Sequence, residues 1–171
     1  VPRSLEKPVA VTKTNCVGTA TILEEARRAE VSKVVVASSS SVYGPDTGIP
    51  KSEHMNPNPI SPYALSKYWT EKLAIQFSNY YELDTLALRY FNVFVPYQDP
   101  TGEYAAVIPK FVKLLVEGQT PTIYGDGKQS RDFTFIDNVV EANILAATSN
   151  ATGEAINIGC GDRYTLNTLV D

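Results

Sequence analysis

The amino-acid sequence predicts an α/β protein built on a parallel sheet. Gly and Pro residues divide its 171 residues into helix and strand segments that mostly alternate. One strand segment, KVVVA at 33–37, is apolar on both faces, which is typical of a strand buried in a parallel sheet. No internal repeat or low-complexity tract is visible in the sequence.

The first half of the chain predicts helices and strands in alternation around one long loop. Residues 15–30 place apolar side chains near one face at helical spacing, and the strand at 33–37 follows. A Ser-Pro pair supplies an N-cap and a first-turn proline for a helix over residues 61–79, and TLALRYF at 85–91 is the next strand. Residues 43–62 contain too many Gly, Pro and Asn residues for a regular element, and long loops of this kind usually carry function.

The second half has shorter predicted elements and more loops. We expect a boundary within residues 94–104, so that residues 1–95 build the sheet and residues 96–171 form a smaller, lid-like part that holds substrate. The predicted elements of this part are a helix at 106–117, a strand at 122–124, a strand at 131–136, a helix begun by Asp137, a strand at 155–158 and a final helix from Thr165.

Composition and charge exclude several classes of protein. Fifteen Lys and Arg against nineteen Asp and Glu leave a net charge of −4, and no basic run exceeds Arg27-Arg28, so no nucleic-acid partner is expected. No apolar run could cross a bilayer and no secretory signal is present, so no membrane is expected. Cys16 and Cys160 have no Cys or His at metal-ligand spacing, and they predict two buried thiols in a reducing cytoplasm and no metal.

A Tyr-x-x-x-Lys pattern is the first candidate for chemistry. A tyrosine is a poor base at neutral pH, and a lysine ammonium one helical turn away favours its phenolate form. Tyr63 lies in the first turn of its helix, directly after the long loop, where its side chain can reach a cleft at the strand ends. Of the other two matches, the one on the same helix is turned about 140° away and is better explained by packing, and the one that encloses a Gly-Asp-Gly turn shares no helical face. The three matches are Tyr63 with Lys67, Tyr68 with Lys72 and Tyr124 with Lys128.

A serine run supplies the second candidate. Ser38–Ser41 directly follows the buried strand at 33–37, and open parallel sheets bind ligands at the carboxyl ends of their strands. Its hydroxyls can therefore meet a substrate there, and the alternative is an ordinary polar loop. The single histidine, His54, is interpreted as a solvated loop residue.

In combination these motifs resemble the extended short-chain dehydrogenase/reductases, and among them the NAD-dependent sugar-nucleotide epimerases of the UDP-glucose or UDP-N-acetylglucosamine 4-epimerase type. The resemblance runs from end to end through NCVGT, SSSSVYG, SPYALSK, LRYFNVF, QDPTGEYAAVIP, YGDGKQSRDFTFID and NIGCGD. It implies a catalytic hydroxyl at Ser39, a catalytic base at Tyr63, and at Lys67 a residue that tunes the base and holds the cofactor ribose. It also implies contacts with NAD at Asn15, Ser38, Tyr63, Lys67 and Phe91, and with a UDP-sugar at Ser39, Asn92, Val107, Tyr124 and Arg131.

The resemblance further implies a Rossmann-like doubly wound parallel sheet, of which residues 1–95 are the C-terminal portion, and part of a smaller α/β substrate-binding domain over residues 96–171. The chain contains no Gly-x-x-Gly-x-x-Gly motif for a dinucleotide pyrophosphate, and we expect this motif upstream of Val1. The sequence also starts without Met and stops at Asp171, a few residues into a predicted helix. We therefore expect a fragment that alone binds NAD poorly and is inactive, from a parent protein that forms a homodimer.

The reaction implied by the resemblance is 4-epimerisation of a UDP-hexose or UDP-N-acetylhexosamine through a transient 4-keto sugar. Related dehydratases and decarboxylases carry a carboxylic acid directly after the catalytic hydroxyl, where this chain has Ser40 and Ser41, so epimerisation is favoured. A dehydratase or decarboxylase, a reductase of the same superfamily and a non-catalytic sugar-nucleotide-binding protein stay open as alternatives. For Arg131, the alternative to a diphosphate contact is a surface ion pair with Asp126 or Asp132.

Overall fold

The computed structural model describes residues 1–45, 48–101 and 106–170, and the chain divides into two compact units. Unit 1 comprises Val1–Tyr90 and Val140–Ile158, and unit 2 comprises Phe91–Val139 and Gly159–Asp171. This division differs from a single boundary after residue 95, because a later segment returns to unit 1 and adds a strand to its sheet. Residues 102–105 of the predicted boundary region lie outside the described residues.

Helices and strands alternate along most of the described chain. In chain order they are α1 (Pro2–Glu6), α2 (Pro8–Thr12), a π-helical turn (Lys13–Val17), α3 (Gly18–Arg28), β1 (Lys33–Ser39), a 3-10 helix (Ser40–Tyr43), α4 (Pro62–Tyr81), β2 (Asp84–Tyr90), β3 (Asn92–Phe94), α5 (Val107–Val116), β4 (Ser130–Arg131), β5 (Phe133–Phe135), α6 (Ile136–Thr148), β6 (Glu154–Ile158) and β7 (Tyr164–Thr165). Within the described ranges, no helix combines the length and the apolar character that a membrane-spanning segment needs.

Unit 1 is built on the parallel strands β1, β2 and β6, with β2 in the centre. Side chains alternate across β2, so Ala87 packs in a core cluster with Leu23 of α3, whereas Leu86 and Leu88 pack in a second cluster with Ala146 of α6. Helices therefore cover both faces of the sheet. The strand that the sequence predicts as buried, β1, lies at the edge of this sheet among the described residues, and only its Val36 and Ser38 are buried, whereas the central strand β2 is buried over most of its length. The predicted α/β class with a Rossmann-like parallel sheet is confirmed.

The long helix α4 begins where the sequence predicts. Ser61 is its N-cap, and the hydroxyl oxygen of Ser61 accepts a hydrogen bond from the N–H of Ala64 at 3.1 Å. Pro62 occupies the first helical position, where its missing N–H costs no hydrogen bond. Further along, the hydroxyl of Thr85 in β2 donates to the carbonyl of Ala74 at 2.7 Å. The helix is thereby joined directly to the central strand of the sheet.

Unit 2 contains α5, a parallel pair of strands, β3 and β5, and an antiparallel pair, β4 and β7. The predicted strand at 131–136 is divided at Asp132, because its two halves pair with different strands. The predicted strand at 122–124 is wrong: this segment follows Pro121 as irregular chain, and no strand of the described residues pairs with it. The predicted final helix is also wrong, since Thr165 pairs with β4 as part of β7 and turns follow it.

We predict that Gly44→Ala destabilises the protein far more than Gly153→Ala. Both glycines have positive φ, +68° and +69°, which costs an L-residue at least about 1–2 kcal/mol, and Gly44 also has ψ −173°, a combination that is essentially restricted to glycine. A Cβ on Gly44 would also lie 2.1 Å from the carbonyl oxygen of Asn58, whereas the atom nearest to a Cβ on Gly153 is the Ser78 hydroxyl oxygen at 3.4 Å. Urea unfolding should place the free energy of unfolding of Gly44→Ala at least about 2 kcal/mol below that of Gly153→Ala. Equal losses would show that the Gly44 backbone does not approach Asn58 this closely.

Candidate active site

Ser39 lies at the junction of β1 and the 3-10 helix, at the carboxyl end of the strand. It is the N-cap of the 3-10 helix, and its side-chain oxygen accepts a hydrogen bond from the N–H of Ser41 at 3.2 Å. The hydroxyl of Ser41 also donates to this oxygen at 2.9 Å. Ser39 thus presents a half-buried hydroxyl at the edge of the sheet where parallel sheets bind ligands.

Tyr63 and Lys67 lie one turn apart in the first part of α4, as predicted. The ammonium nitrogen of Lys67 donates to the carbonyl of Ala37 in β1 at 2.9 Å and lies 6.0 Å from the centre of the Tyr63 ring. Burial lowers the pKa of Lys67. Within the described residues, the Tyr63 hydroxyl has no hydrogen-bond partner. The structure therefore brings the charge of Lys67 both to the Tyr63 ring and to a strand residue two positions before Ser39.

The two other Tyr-x-x-x-Lys pairs have different surroundings. Lys72 lies 5.4 Å from the centre of the Tyr68 ring and is exposed. Tyr124 is 84% exposed, and the N–H of Lys128 donates to the Asp126 carboxylate within the turn that separates the pair. These two pairs therefore have the same sequence spacing as Tyr63 and Lys67 but lie in more exposed surroundings.

Asn15 lies in the π-helical turn between α2 and α3, so the predicted helix starts earlier than residue 15 and contains one wide turn. This turn is joined to α4, because the Asn15 amide donates to the Ser66 hydroxyl at 2.9 Å and the Thr70 hydroxyl donates to the Asn15 carbonyl at 3.1 Å. Asn15, Ala37 and Lys67 all line one groove of about 380 Å³. π-Helical turns occur frequently at functional sites, and this one places Asn15 in the groove that Lys67 also lines.

Ser38 is buried and turned away from that groove. Only 3% of Ser38 is exposed, and its hydroxyl donates to the Glu71 carboxylate at 2.9 Å. The predicted contact of Ser38 with a cofactor is therefore restricted to its main chain, because its side chain is occupied inside the protein.

A buried ion pair between α4 and β2 is the main feature of this region that the sequence analysis does not predict. Glu71 is fully buried in α4, and its carboxylate accepts hydrogen bonds from Arg89 of β2 at 2.6 and 2.8 Å. A third nitrogen of Arg89 donates to the hydroxyl of Tyr43 at 2.7 Å, and that hydroxyl donates to Asn157 of β6 at 2.7 Å. Burial by itself would lower the pKa of Arg89, but the hydrogen bonds to Glu71 and Tyr43 outweigh it and raise the pKa.

The sequence does contain a signal for this pair. Arg89 interrupts the apolar strand TLALRYF, and Glu71 follows Lys67 by one helical turn on a helix that packs against the sheet. Charged residues are almost never fully buried unless they are paired, so a charge inside a predicted core strand indicates an opposite charge on a neighbouring element.

In unit 2, three predicted substrate residues lie together. Asn92, Val107 and Arg131 line one small cavity of about 70 Å³. The Asn92 amide donates to the carbonyl of Asp132 at 2.9 Å, which holds β3 beside β5. The cavity is therefore bordered by an exposed guanidinium and a side-chain amide, groups that suit an anionic ligand.

Arg131 forms no ion pair within the described residues, so the alternative of a surface ion pair with Asp126 or Asp132 is not realised. The carboxylate of Asp132 instead accepts hydrogen bonds from the backbone N–H groups of Cys160 at 3.0 Å and Gly161 at 2.9 Å. The guanidinium of Arg131 is thereby left available to a ligand.

Two predicted contact residues lie apart from this cavity. Tyr124 is highly exposed and is not among the residues that line it, and the Tyr124 carbonyl accepts a hydrogen bond from the Gln129 amide at 2.9 Å. Phe91 packs beside Gly159, where a Cβ would lie 3.4 Å from its ring. The roles of Tyr124 and Phe91 stay predictions.

Both cysteines are free. Cys16 is half-buried and burial raises the pKa of its thiol, but Cys160 is exposed, so the prediction of two buried thiols is wrong for Cys160. The turn that contains Cys160 is held by the hydrogen bond from its backbone N–H to Asp132, and the Cys160 sulfur accepts a hydrogen bond from the Asn138 amide at 3.4 Å. Across the described ranges, no group of three or more His, Cys, Asp and Glu residues could hold a metal ion.

Comparison with known proteins supplies a family. Residues 1–159 match the model of the NAD dependent epimerase/dehydratase family. A putative UDP-glucose 4-epimerase of Methanocaldococcus jannaschii is 41% identical over 172 residues, which cover 100% of this chain and 55% of that protein. A UDP-N-acetyl-alpha-D-glucosaminuronate decarboxylase of Bacillus cytotoxicus is 37% identical, over 97% of this chain and 52% of that protein.

A similar solved structure is the UDP-N-acetylglucosamine 4-epimerase from Methanobrevibacter ruminantium M1 in complex with UDP-N-acetylmuramic acid. It superposes with a TM-score of 0.96 at 41% identity, over 99% of this chain and 55% of that chain. The chain thus spans about half the length of the curated relatives that it matches.

We predict that Glu71→Gln destabilises the protein by about 3–5 kcal/mol, because it leaves the buried charge of Arg89 without a counter-ion. Replacing both partners, as in Glu71→Met with Arg89→Met, removes the uncompensated charge and should recover part of this loss. The measurement is the free energy of unfolding in urea.

The matched control is Glu24→Gln, which removes a carboxylate from an ion pair on the exposed face of α3. Because water solvates both partners there, its unfolding midpoint should stay close to that of the wild type. A Glu71→Gln midpoint as close to the wild type as that of Glu24→Gln would contradict the stabilising role of the buried pair.

Proposed function

Because the chain belongs to the NAD-dependent epimerase/dehydratase family, we propose that the whole protein is an NAD-dependent 4-epimerase of a UDP-hexose or UDP-N-acetylhexosamine. The observation that carries the proposal is the arrangement of Ser39, Tyr63 and Lys67. Lys67 is bound to β1 two residues before Ser39 and lies beside the Tyr63 ring. A hydroxyl, a phenol and an ammonium in this arrangement are the groups that reversible oxidation of an alcohol requires.

The residues of unit 1 suit a nicotinamide cofactor. The groove beside α4 offers the Lys67 ammonium as a donor and the Asn15 side-chain oxygen as an acceptor, and ribose hydroxyls use both kinds of group. A bound NAD would supply the hydride acceptor and the hydride donor that oxidation and reduction at C4 of the sugar need. We propose that Asn15, Tyr63, Lys67 and Phe91 contact this cofactor.

The chemistry of the chain's own residues follows from their placement. The Tyr63 phenolate takes the proton from the sugar 4-hydroxyl and later returns it, and the Lys67 ammonium favours this phenolate electrostatically. Ser39 hydrogen-bonds the 4-oxygen of the sugar. In unit 2, Arg131 pairs with the diphosphate of the UDP group, and Asn92, Val107 and Tyr124 contact the same substrate.

A uronate decarboxylase or a dehydratase is the second candidate, because a decarboxylase is among the relatives of the chain. Proton transfer at a second carbon needs an acid close to the catalytic hydroxyl. Ser40 and Ser41 occupy the two positions after Ser39, and neither side chain can supply that acid. The epimerase is therefore the better supported of the two.

The proposal predicts interconversion of UDP-glucose with UDP-galactose, or of UDP-N-acetylglucosamine with UDP-N-acetylgalactosamine, by the purified whole protein with NAD. Tyr63→Phe should lower kcat about 10²- to 10⁴-fold, because the general base is removed. Arg131→Met should chiefly raise KM, roughly 10- to 100-fold, because a charge-assisted contact with the diphosphate is lost. Products are separated and quantified by ion-exchange chromatography.

Tyr68→Phe is the matched control, since Tyr68 also precedes a lysine by four residues on α4 and its ring also lies near that lysine. It should keep the wild-type kcat. Release of a 4-keto-6-deoxy sugar would show that the protein is a dehydratase and not an epimerase. Release of carbon dioxide would show that it is a decarboxylase. An equal loss of kcat in Tyr63→Phe and Tyr68→Phe would show that Tyr63 is not the general base.

We also propose that the whole protein forms a homodimer in the cytoplasm. The outer face of α4 carries Leu65 and Trp69, which are 58% and 41% exposed and line a groove of about 720 Å³ with Ile60, itself 70% exposed. The residues that line this groove carry no charge, and exposed apolar patches of this kind mark protein interfaces. Self-association of α4 would bury the patch. The two free cysteines support a reducing compartment.

The homodimer predicts that Leu65→Asp yields a monomer, because a carboxylate in the interface would lose its solvation. Light scattering coupled to size-exclusion chromatography measures the mass directly. Val116→Asp is the control, since Val116 is also exposed, at 83%, but belongs to unit 2, and this variant should remain a dimer. A wild-type protein that elutes as a monomer at all concentrations would refute the homodimer.

A further inference from the structure

Among the described residues, Ser41 is the one that hydrogen-bonds to the side-chain oxygen of Ser39. The side-chain oxygen of Ser39 accepts two hydrogen bonds from this residue, one from its backbone N–H at 3.2 Å and one from its hydroxyl at 2.9 Å. A hydroxyl oxygen has two lone pairs and one hydrogen. Both acceptor positions of Ser39 are therefore filled from within the chain, and only its own hydrogen remains for a ligand.

We propose that Ser41 is a positioning residue that makes Ser39 act on the substrate only as a hydrogen-bond donor. The proposal rests on the proposed function, since it concerns the sugar oxygen at the reacting carbon. A Ser39 hydroxyl with a free lone pair could also accept the hydrogen of the sugar 4-hydroxyl, and would then compete with Tyr63 for it. With both lone pairs occupied, Ser39 leaves that hydrogen to Tyr63.

A donor-only Ser39 is also complementary to the oxidised sugar. When the 4-hydroxyl becomes a carbonyl, its oxygen has no hydrogen and can only accept hydrogen bonds. A preorganised donor aimed at an oxygen that gains negative charge stabilises the transition state more than the ground state. The proton of Ser39 stays on Ser39 throughout, so no extra acid, base or oxidant is needed.

The neighbouring serine does not share this role. Among the hydrogen bonds of the described residues, none joins the side chain of Ser40 to Ser39, whereas Ser41 donates from both its backbone and its side chain. The backbone donor caps the 3-10 helix and survives any substitution other than proline. The side-chain donor is separable from the cap, so removing it tests positioning without removing the local structure.

The experiment compares Ser41→Ala, Ser41→Thr and Ser40→Ala in the whole protein. Ser41→Ala should lower kcat for the UDP-sugar about tenfold, the effect of one hydrogen bond that strengthens in the transition state, and leave KM within about twofold. Ser41→Thr keeps a hydroxyl and should restore most of the rate. Ser40→Ala should have the wild-type kcat. Thermal unfolding midpoints and calorimetric affinities for the UDP-sugar should be unchanged in all three variants.

A double-mutant cycle tests whether Ser41 changes kcat through the Ser39 hydroxyl. In a Ser39→Ala background, Ser41→Ala should cause no further loss of kcat, because the group through which Ser41 acts is already absent. A further tenfold loss in that background, or a lowered unfolding midpoint of Ser41→Ala, would show a structural role and overturn the inference. An unchanged kcat in Ser41→Ala would overturn it as well.

The wild type separates this inference from the proposed function. If the wild-type protein catalyses no epimerisation, then the proposed function fails, and the role of Ser41 fails with it. If the wild type is active and only the Ser41 variants contradict the expectation, then the proposed function stands and the positioning role alone is lost.

Discussion

The buried ion pair between Glu71 and Arg89 connects the helix and strands of unit 1 at the carboxyl ends of the strands. Removing two charges from water costs several kcal/mol for each unless they are paired and fully hydrogen-bonded. The carboxylate of Glu71 accepts three hydrogen bonds, one from Ser38 and two from Arg89, and Arg89 gives its remaining contact to Tyr43. These bonds form together only when α4, β1, β2 and the 3-10 helix are all in place. The ion pair therefore fixes the carboxyl ends of β1 and β2 relative to α4 and the 3-10 helix.

The helix α4 uses successive turns for chemistry and for attachment. Tyr63, Lys67 and Glu71 recur every four residues and so share one face of the helix. Lys67 binds the carbonyl of Ala37, and Glu71 binds the hydroxyl of the next residue in β1. The position of the ammonium relative to the strand end is thus determined by a fully buried group one turn away. The outer face of the same helix is left to exposed apolar residues, which leaves it available to a partner.

In unit 2, one aspartate determines both the local fold and the availability of a neighbouring charge. The carboxylate of Asp132 is held by the backbone N–H groups of Cys160 and Gly161, and the chain changes strand partner at this residue. Because successive side chains in extended chain point to opposite sides, Arg131 is directed away from this carboxylate. Asp132 is therefore next to Arg131 in the sequence but forms no ion pair with it, and among the described residues the Arg131 guanidinium has no ion-pair partner.

The sequence by itself determined the features whose signals lie within a few residues of one another: the capped start of α4, the position of strand β1, the Tyr63 and Lys67 pair and the serine run. These signals are local because capping, helical spacing and apolar runs depend on neighbouring residues. Only the tertiary structure decided the features that depend on distant partners. Ser38 and Glu71 are 33 positions apart. Among the described residues, the segment predicted as a strand at 122–124 pairs with no other strand, whereas the one predicted at 131–136 pairs with two. A short strand needs backbone hydrogen bonds from a second segment, and a buried charge needs an opposite charge from one. Which distant segments meet is determined by the packing of the whole unit.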